Sequence, residues 1–276
     1  MHWIRLVALG VVQGLTEFIP VSSSGHLVLL QQILGLEYEG ITLEIAVHLG
    51  TLAAVLAVYW RDALKIGATV ARAGWGITRG KMRFRDAIAE PSFYLGMSLL
   101  AASALTAMIA LPLSSQIRGA FGSIRLVAAA WLVTGVILYW TRGRRPRGRL
   151  PSVGGTLLIG IFQALAVVPG ISRSGSTIAA GLYSGLSREE AARYSFLLSV
   201  IAILGAGAVD IPAVFSQATE AGFWTDLFVA TCAAGISGFF ALRFVIRKVL
   251  QGQMHRFALY VWALAAAVLV WTDFSP

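Results

Sequence analysis

Two short stretches concentrate the residues able to do chemistry. The first reads Gln13-Gly14-Leu15-Thr16-Glu17-Phe18-Ile19-Pro20-Val21-Ser22-Ser23-Ser24-Gly25-His26 and packs a carboxylate, an imidazole and a run of hydroxyls around one proline. The second reads Pro169-Gly170-Ile171-Ser172-Arg173-Ser174-Gly175-Ser176-Thr177 and carries one guanidinium among four hydroxyls. A Ser/Gly-rich turn that opens a helix points backbone N–H groups at an anion, aided by the positive end of the helix dipole. Gly25 and Gly175, with the hydroxyls of Ser22, Ser24, Ser172, Ser174 and Thr177 and the amide of Gln13, are therefore candidate phosphate-binding groups. Arg173 adds a planar fork suited to bidentate contact with a phosphate or diphosphate. Glu17 is the natural hard-oxygen ligand for Mg²⁺ or Ca²⁺, with water and phosphate oxygens completing the shell. Three nucleophiles are chemically sound: Ser23 activated by His26, His26 itself as a neutral imidazole, or a water held by the cation.

The sequence around these stretches says where they sit. Of the 276 residues, 57% are hydrophobic and 13% charged, against about 25% charged in an average soluble domain. Apolar runs recur from end to end, and roughly 20 such residues cross a hydrocarbon core. With no alternating strand pattern, backbone groups in that medium must be satisfied by helices. The fold class is an all-α polytopic membrane protein. Full spans are expected near 42–60, 92–112, 124–140, 191–211, 223–242 and 257–272, which makes six crossings. The segments 4–19 with 24–36, and 154–168 with 174–186, are each broken by a Pro/Ser/Gly cluster and read as two re-entrant helix hairpins. Ionisable residues placed in such apolar hairpins mark a functional site.

The two hairpins match at an offset of 150, Gly10-x-x-Gln13-x-Leu15 over Gly160-x-x-Gln163-x-Leu165. After a one-residue gap, Ser22-x-Ser24-Gly25 falls over Ser172-x-Ser174-Gly175, which indicates a duplication with repeats of about 1–140 and 151–276 in one membrane domain of 1–276. An odd number of crossings between the hairpins inverts the second repeat, a plan that brings polar breaks together near the midplane.

The formal charge of +9 does not call for a nucleic acid. Its cations cluster in Arg61 to Arg85, Arg142 to Arg149 and Arg243 to Arg256, as retained cytoplasmic loops require. That orientation puts 61–91 and 141–153 in the cytoplasm and both termini in the periplasm, and the connection at 212–222 carries Glu220 and no Lys or Arg. Cys232 is the only cysteine, which excludes an intrachain disulfide and a thiolate cluster. Ser187-Arg188-Glu189-Glu190 has capping-box spacing. Gly10-x-x-x-Gly14 and Gly181-x-x-x-Gly185 allow close helix approach. Glu44 and His48 share a helix face, either reaching the site from its side or forming a local helix-end pair.

The stretch Gln13 to His26, together with Pro169 to Thr177, resembles the two signature motifs of the bacterial undecaprenyl-diphosphate phosphatase, or bacitracin resistance, family. Length and basic-loop pattern extend the resemblance over essentially the whole chain. It implies hydrolysis of a polyprenyl diphosphate lipid to the monophosphate carrier of peptidoglycan synthesis in the bacterial inner membrane, with a divalent cation required. It also implies catalytic or phosphate-binding positions for Glu17, Ser23, His26, Arg173, Ser172 and Thr177. Family members carry Glu or Gln where this chain has Gln13, so Glu17 is the one carboxylate of the motif here. Expected partners are that lipid and membrane lipids, with no nucleic acid; a homo-oligomer is compatible with the reading. Two rivals share features of the pattern. A flippase or transporter of an anionic polyprenyl lipid uses broken helices too, but does not need an imidazole, hydroxyls and a carboxylate packed together. The vanadate-sensitive lipid phosphatases present Ser-Gly-His, but their other motifs are missing. An ion pair of Glu17 with Arg173 that only locks the repeats would leave His26 and the hydroxyls without a purpose.

Overall fold

The computed structural model describes residues 2–34, 40–217 and 223–274. Among these the regular elements are helical, apart from one isolated bridge between Gly148 and Leu186. In chain order they are α1 (His2–Phe18), α2 (Ser23–Leu34), α3 (Gly40–Thr78), α4 (Phe84–Ile88), α5 (Pro91–Ala110), α6 (Ser114–Ala120), α7 (Ile124–Tyr139), α8 (Val153–Leu165), α9 (Arg173–Tyr183), α10 (Arg188–Gln217), α11 (Phe223–Leu250) and α12 (Phe257–Phe274).

Polar residues set many of the helix starts. Ser123, Ser152 and Ser172 each accept a backbone N–H three residues on, at the N-caps of α7, α8 and α9, and Glu90 does the same before Pro91 at the start of α5. Ser187 caps α10 by accepting from Glu190 N at 3.2 Å. The reciprocal half of the expected capping box is replaced, because the Glu190 carboxylate accepts from Arg193.

Among the described residues five helices are long and apolar enough to cross a membrane: Leu43–Thr78, Pro91–Ala110, Arg188–Ala208, Phe223–Leu250 and Met254–Asp273. The chain is a multi-pass membrane protein. A helix, α7, also stands where the span at 124–140 is expected, but with 16 residues it is roughly 24 Å long, less than the hydrocarbon thickness, and it is not one of those five. A second difference lies in the first basic connection. Residues 61–78, expected in a loop, continue α3 past a kink at Tyr59 (φ −111°, ψ 17°) to a total of 39 residues. Arg and Lys are good helix formers, so charge ends a span without ending its helix. Glu220 lies outside the described residues.

Small residues set the closest approaches between helices. A Cβ on Gly10 would stand 2.6 Å from the Ala230 carbonyl, and one on Gly14 would stand 2.4 Å from that of Ala234. The Gly-x-x-x-Gly stripe of α1 is therefore its seat on α11, as such stripes are in lipid. Gly50 seats α3 on the same helix, where an added Cβ would lie 2.2 Å from the Thr231 carbonyl. Both α1 and α3, which carry the acidic half of the site, are thus held on α11, while α5 packs on α8 and α7 on α12.

Candidate functional site

Each break needs backbone conformations and partners that a lipid-exposed segment would lack. In the first, Ser22 adopts a left-handed φ of 69°, an uncommon conformation for a residue with a side chain. Its hydroxyl accepts from Gly25 N at 3.3 Å, starting α2, and from Gly170 N of the other break at 3.1 Å. In the second, Gly170 takes φ 98° with no room for a side chain, since a Cβ would lie 2.4 Å from the Val127 carbonyl. α7 serves both breaks: Trp131 Nε1 donates to the Val21 carbonyl at 2.9 Å, and Thr134 Oγ1 donates to the Gly170 carbonyl at 2.8 Å while accepting from Ser172 N at 3.1 Å. The short helix is the staple that satisfies irregular backbone inside protein.

On this frame the C-terminal turn of α1 meets the N-terminus of α9. Arg173 Nη2 donates to Glu17 Oε1 at 2.5 Å. Glu17 Oε2 accepts from Ser23 Oγ at 2.8 Å and from Gln13 Nε2 at 2.9 Å. His48 Nε2 from α3 lies 3.2 Å from Gln13 Nε2 and 3.8 Å from Glu17 Oε2. Gln13 is fully buried and Glu17 is 8% exposed, so the carboxylate is desolvated but surrounded by donors, the condition under which a buried charge is retained. Two buried polar atoms of the cluster, Arg173 Nη1 and Gln13 Oε1, have no hydrogen-bond partner among the described residues.

A cavity of about 740 Å³ opens over the cluster. Glu17, Ser22, Ser23, Ser24, Glu44, His48, Ser172 and Arg173 give its polar wall, and Ile45, Leu49, Phe121, Ile171 and Ile203 are part of its apolar one. A cavity that combines charged and hydroxyl groups with apolar side chains suits an amphiphile with an anionic head.

The expected residues divide into three groups. Gln13, Glu17, Ser23 and Arg173 are brought into one hydrogen-bonded cluster. Ser22, Ser24 and Ser172 line the cavity. The others are occupied elsewhere. Gly25 N and Gly175 N, expected to face an anion, are taken by the caps Ser22 Oγ and Ser172 Oγ, because a helix start satisfies its own donors when a serine precedes it. Ser174 is buried beside Ser172 at 3.4 Å between hydroxyls. Thr177 Oγ1 bonds to the Arg173 carbonyl and to Ser195 Oγ at 2.6 Å, tying α9 to α10. His26 is not among the residues that line the cavity. Its Nδ1 donates to the Ser22 carbonyl and its Nε2 accepts from the Tyr260 hydroxyl, both at 2.8 Å. Its ring stacks on Tyr260 and meets the Trp131 ring edge-on. On α2, position 26 is nearly a full turn past Ser23, and there it clamps the strained turn from the α12 side. The imidazole beside Glu17 belongs instead to His48, for which the sequence left open a reach into the site from its side or a local pair with Glu44; Tyr260 carried no signal at all.

The chain matches the family described as bacitracin resistance protein BacA over residues 6–267. It is 41% identical over 268 residues to an undecaprenyl-diphosphatase of Desulforapulum autotrophicum, covering 96% of each chain. The undecaprenyl-diphosphatase of Desulfatibacillum aliphaticivorans is 39% identical over 98% of this chain and 99% of its own length. That of Halothermothrix orenii is 34% identical over 98% of both.

Proposed function

The chain belongs to the bacitracin resistance protein BacA family, and from that premise we propose that it is an integral membrane phosphatase hydrolysing undecaprenyl diphosphate to undecaprenyl phosphate and inorganic phosphate. This step recycles the lipid carrier for peptidoglycan synthesis and confers bacitracin resistance. The observation that carries the reading is the contact of Arg173, Glu17 and Ser23 on the wall of a cavity that is also lined by apolar side chains.

Arg173, whose side chain lines the cavity, holds the terminal phosphate there while Nη2 stays on Glu17. The guanidinium then neutralises charge that builds on the equatorial oxygens, the main task of a protein in phosphoryl transfer. Ser23 is the nucleophile that the geometry favours, its hydroxyl already donating to Glu17 Oε2. Its oxygen attacks the terminal phosphorus, its proton passes to Glu17, and the bond to the bridging oxygen breaks to release the lipid monophosphate. Once Glu17 has passed that proton to solvent, water attacks the phosphoserine, giving one proton to the carboxylate, which hands it to the Ser23 oxygen as that oxygen's bond to phosphorus breaks and phosphate leaves. His26 holds the Ser22 carbonyl and so fixes the turn on which Ser23 stands.

The residues also fit a divalent cation, Mg²⁺ or Ca²⁺. Among the described residues no three His, Cys, Asp or Glu side chains form a cage, yet Glu17, the unpartnered Gln13 Oε1 and Glu44 on the cavity wall are hard oxygen donors. Few protein ligands completed by substrate phosphates is the usual Mg²⁺ arrangement. When bound, the cation would share charge neutralisation with Arg173.

We also propose the inverted-repeat topology: six crossings with α7 as the short one, two re-entrant hairpins (α1–α2 and α8–α9), repeats of about 1–140 and 151–276, inner-membrane location and both termini periplasmic. The matched order of residues around the two breaks and their contact through Ser22 and Gly170 support it. The purified protein in detergent should release phosphate from undecaprenyl diphosphate and lose most of that activity with chelator. Brief turnover and acid quench should leave a phosphoryl group on Ser23 by mass spectrometry. Flipping of the lipid with no phosphate released would favour the transporter reading instead.

A further inference from the structure

We propose that His48 is a positioning residue of this site, acting through Gln13 on Glu17; the inference rests on the phosphatase reading above. The hydrogen bonds between them run in one direction only. The Glu44 carbonyl can only accept, so His48 Nδ1, 2.7 Å away, carries the proton. In the neutral ring Nε2 then carries a bare lone pair 3.2 Å from Gln13 Nε2, and the amide nitrogen donates to it. The same nitrogen donates to Glu17 Oε2 at 2.9 Å. Two acceptors therefore face one amide nitrogen and use both of its hydrogens. Turned over, the Gln13 amide would set its carbonyl oxygen against a carboxylate oxygen and an imidazole lone pair, two repulsions in a buried setting.

The consequence falls on Glu17. Its Oε2 receives Gln13 on one side and Ser23 on the other, while Arg173 holds Oε1. The carboxylate plane is thus defined by donors from three elements, and the lone pair that takes the Ser23 proton is kept in line. Gln13 Oε1 is left without a partner as the price of that orientation. His48 itself stands on a rigid support: Thr51 Oγ1 donates to its carbonyl, and Thr231 Oγ1 of α11 donates to the Ala46 carbonyl two residues earlier. A reactive geometry held by packed helices is more exact than one left to loops.

The test uses the full-length protein in detergent, with wild type and Arg173→Ala as references. His48→Leu should lower kcat about 10-fold, the worth of one well-made hydrogen bond, with KM moved less than about two-fold. His48→Gln, whose amide offers an acceptor near the place of Nε2, should regain most of the loss. His48→Leu combined with Gln13→Leu should be no slower than Gln13→Leu alone, since both break the same relay. Unchanged kcat in His48→Leu, no advantage of Gln over Leu, or a double variant slower by the product of the singles would overturn the proposal. If His48→Leu does not fold, His48→Gln against the shorter His48→Asn makes the same comparison, with Gln expected to be faster. A wild type that releases no phosphate, or an Arg173→Ala protein at wild-type rate, would sink the phosphatase reading itself.

Discussion

The two breaks use one backbone plan and place different chemistry on it. Each has a proline, a residue at positive φ (Ser22 in the first, Gly170 in the second) and a serine hydroxyl that caps the following helix. Each is tied to α7, through Trp131 or Thr134. The first break brings a carboxylate to the junction and the second brings a guanidinium. Their glutamines diverge in the same way: Gln13 donates to Glu17 and His48, whereas Gln163 donates to the Thr106 hydroxyl of α5 at 3.0 Å. The two breaks thus build one asymmetric site rather than two symmetric ones, because phosphate chemistry needs a cation and a base facing one point.

The sharpest way to break this division is to remove its cationic half. Arg173→Ala should cut phosphate release by at least about 10³-fold, the scale of losing a preorganised charge contact in a transition state. It should also lower stability by about 3–5 kcal/mol, because Glu17 is left as an uncompensated buried charge. Arg173→Lys should recover stability before activity, since it restores charge without the fork. Phosphate release paired with thermal unfolding in detergent separates the two effects. Equal recovery of both by Lys would mean that Arg173 is only a structural counter-ion.

Thr134→Val tests the shared staple. It removes a donor from the Gly170 carbonyl and an acceptor from Ser172 N, both buried. The expected cost is about 2–4 kcal/mol for two unsatisfied backbone groups, with activity falling through misplacement of Arg173. Trp131→Phe, which strands only the Val21 carbonyl while Ser22 is still held by its other bonds, should cost less. If the two variants were equally mild, the breaks would not depend on α7.

Much of this arrangement could be read from residue types and order. Glu17 and Arg173 stood out because ionisable groups are rare in apolar hairpins, and the repeat offset implied that they meet. The expected span positions are all occupied by helices, because hydrophobic length is a one-dimensional property. The rest depends on direction. Whether His26 or His48 faces Glu17 turns on which side of a helix each projects, and sequence proximity to Ser23 favoured His26. The continuation of α3 to Thr78 was hidden because basic residues mark a membrane boundary but not a helix boundary. Trp131 and Thr134 look like ordinary members of an apolar span, and their hydrogen bonds to two remote breaks exist only after packing.

The smallest expected effect isolates the asymmetry best, because it makes one substitution at matched positions. Gln163 is 3% exposed, and its Oε1 has no partner. Gln163→Leu therefore removes one hydrogen bond to Thr106 and one unsatisfied buried acceptor together, two contributions of similar size and opposite sign. Thr106 Oγ1 retains the carbonyls of Ala102 and Gly160 as acceptors. Stability should stay within about 1 kcal/mol and turnover within about two-fold of wild type. Gln13→Leu changes the same atoms but takes a donor from Glu17 and strands the His48 lone pair, so turnover should fall about 10-fold or more. The ratio of these two losses in kcat is the measurement. A ratio near one would mean that both glutamines serve only packing, and the division of labour between the breaks would have to rest on Glu17 and Arg173 alone.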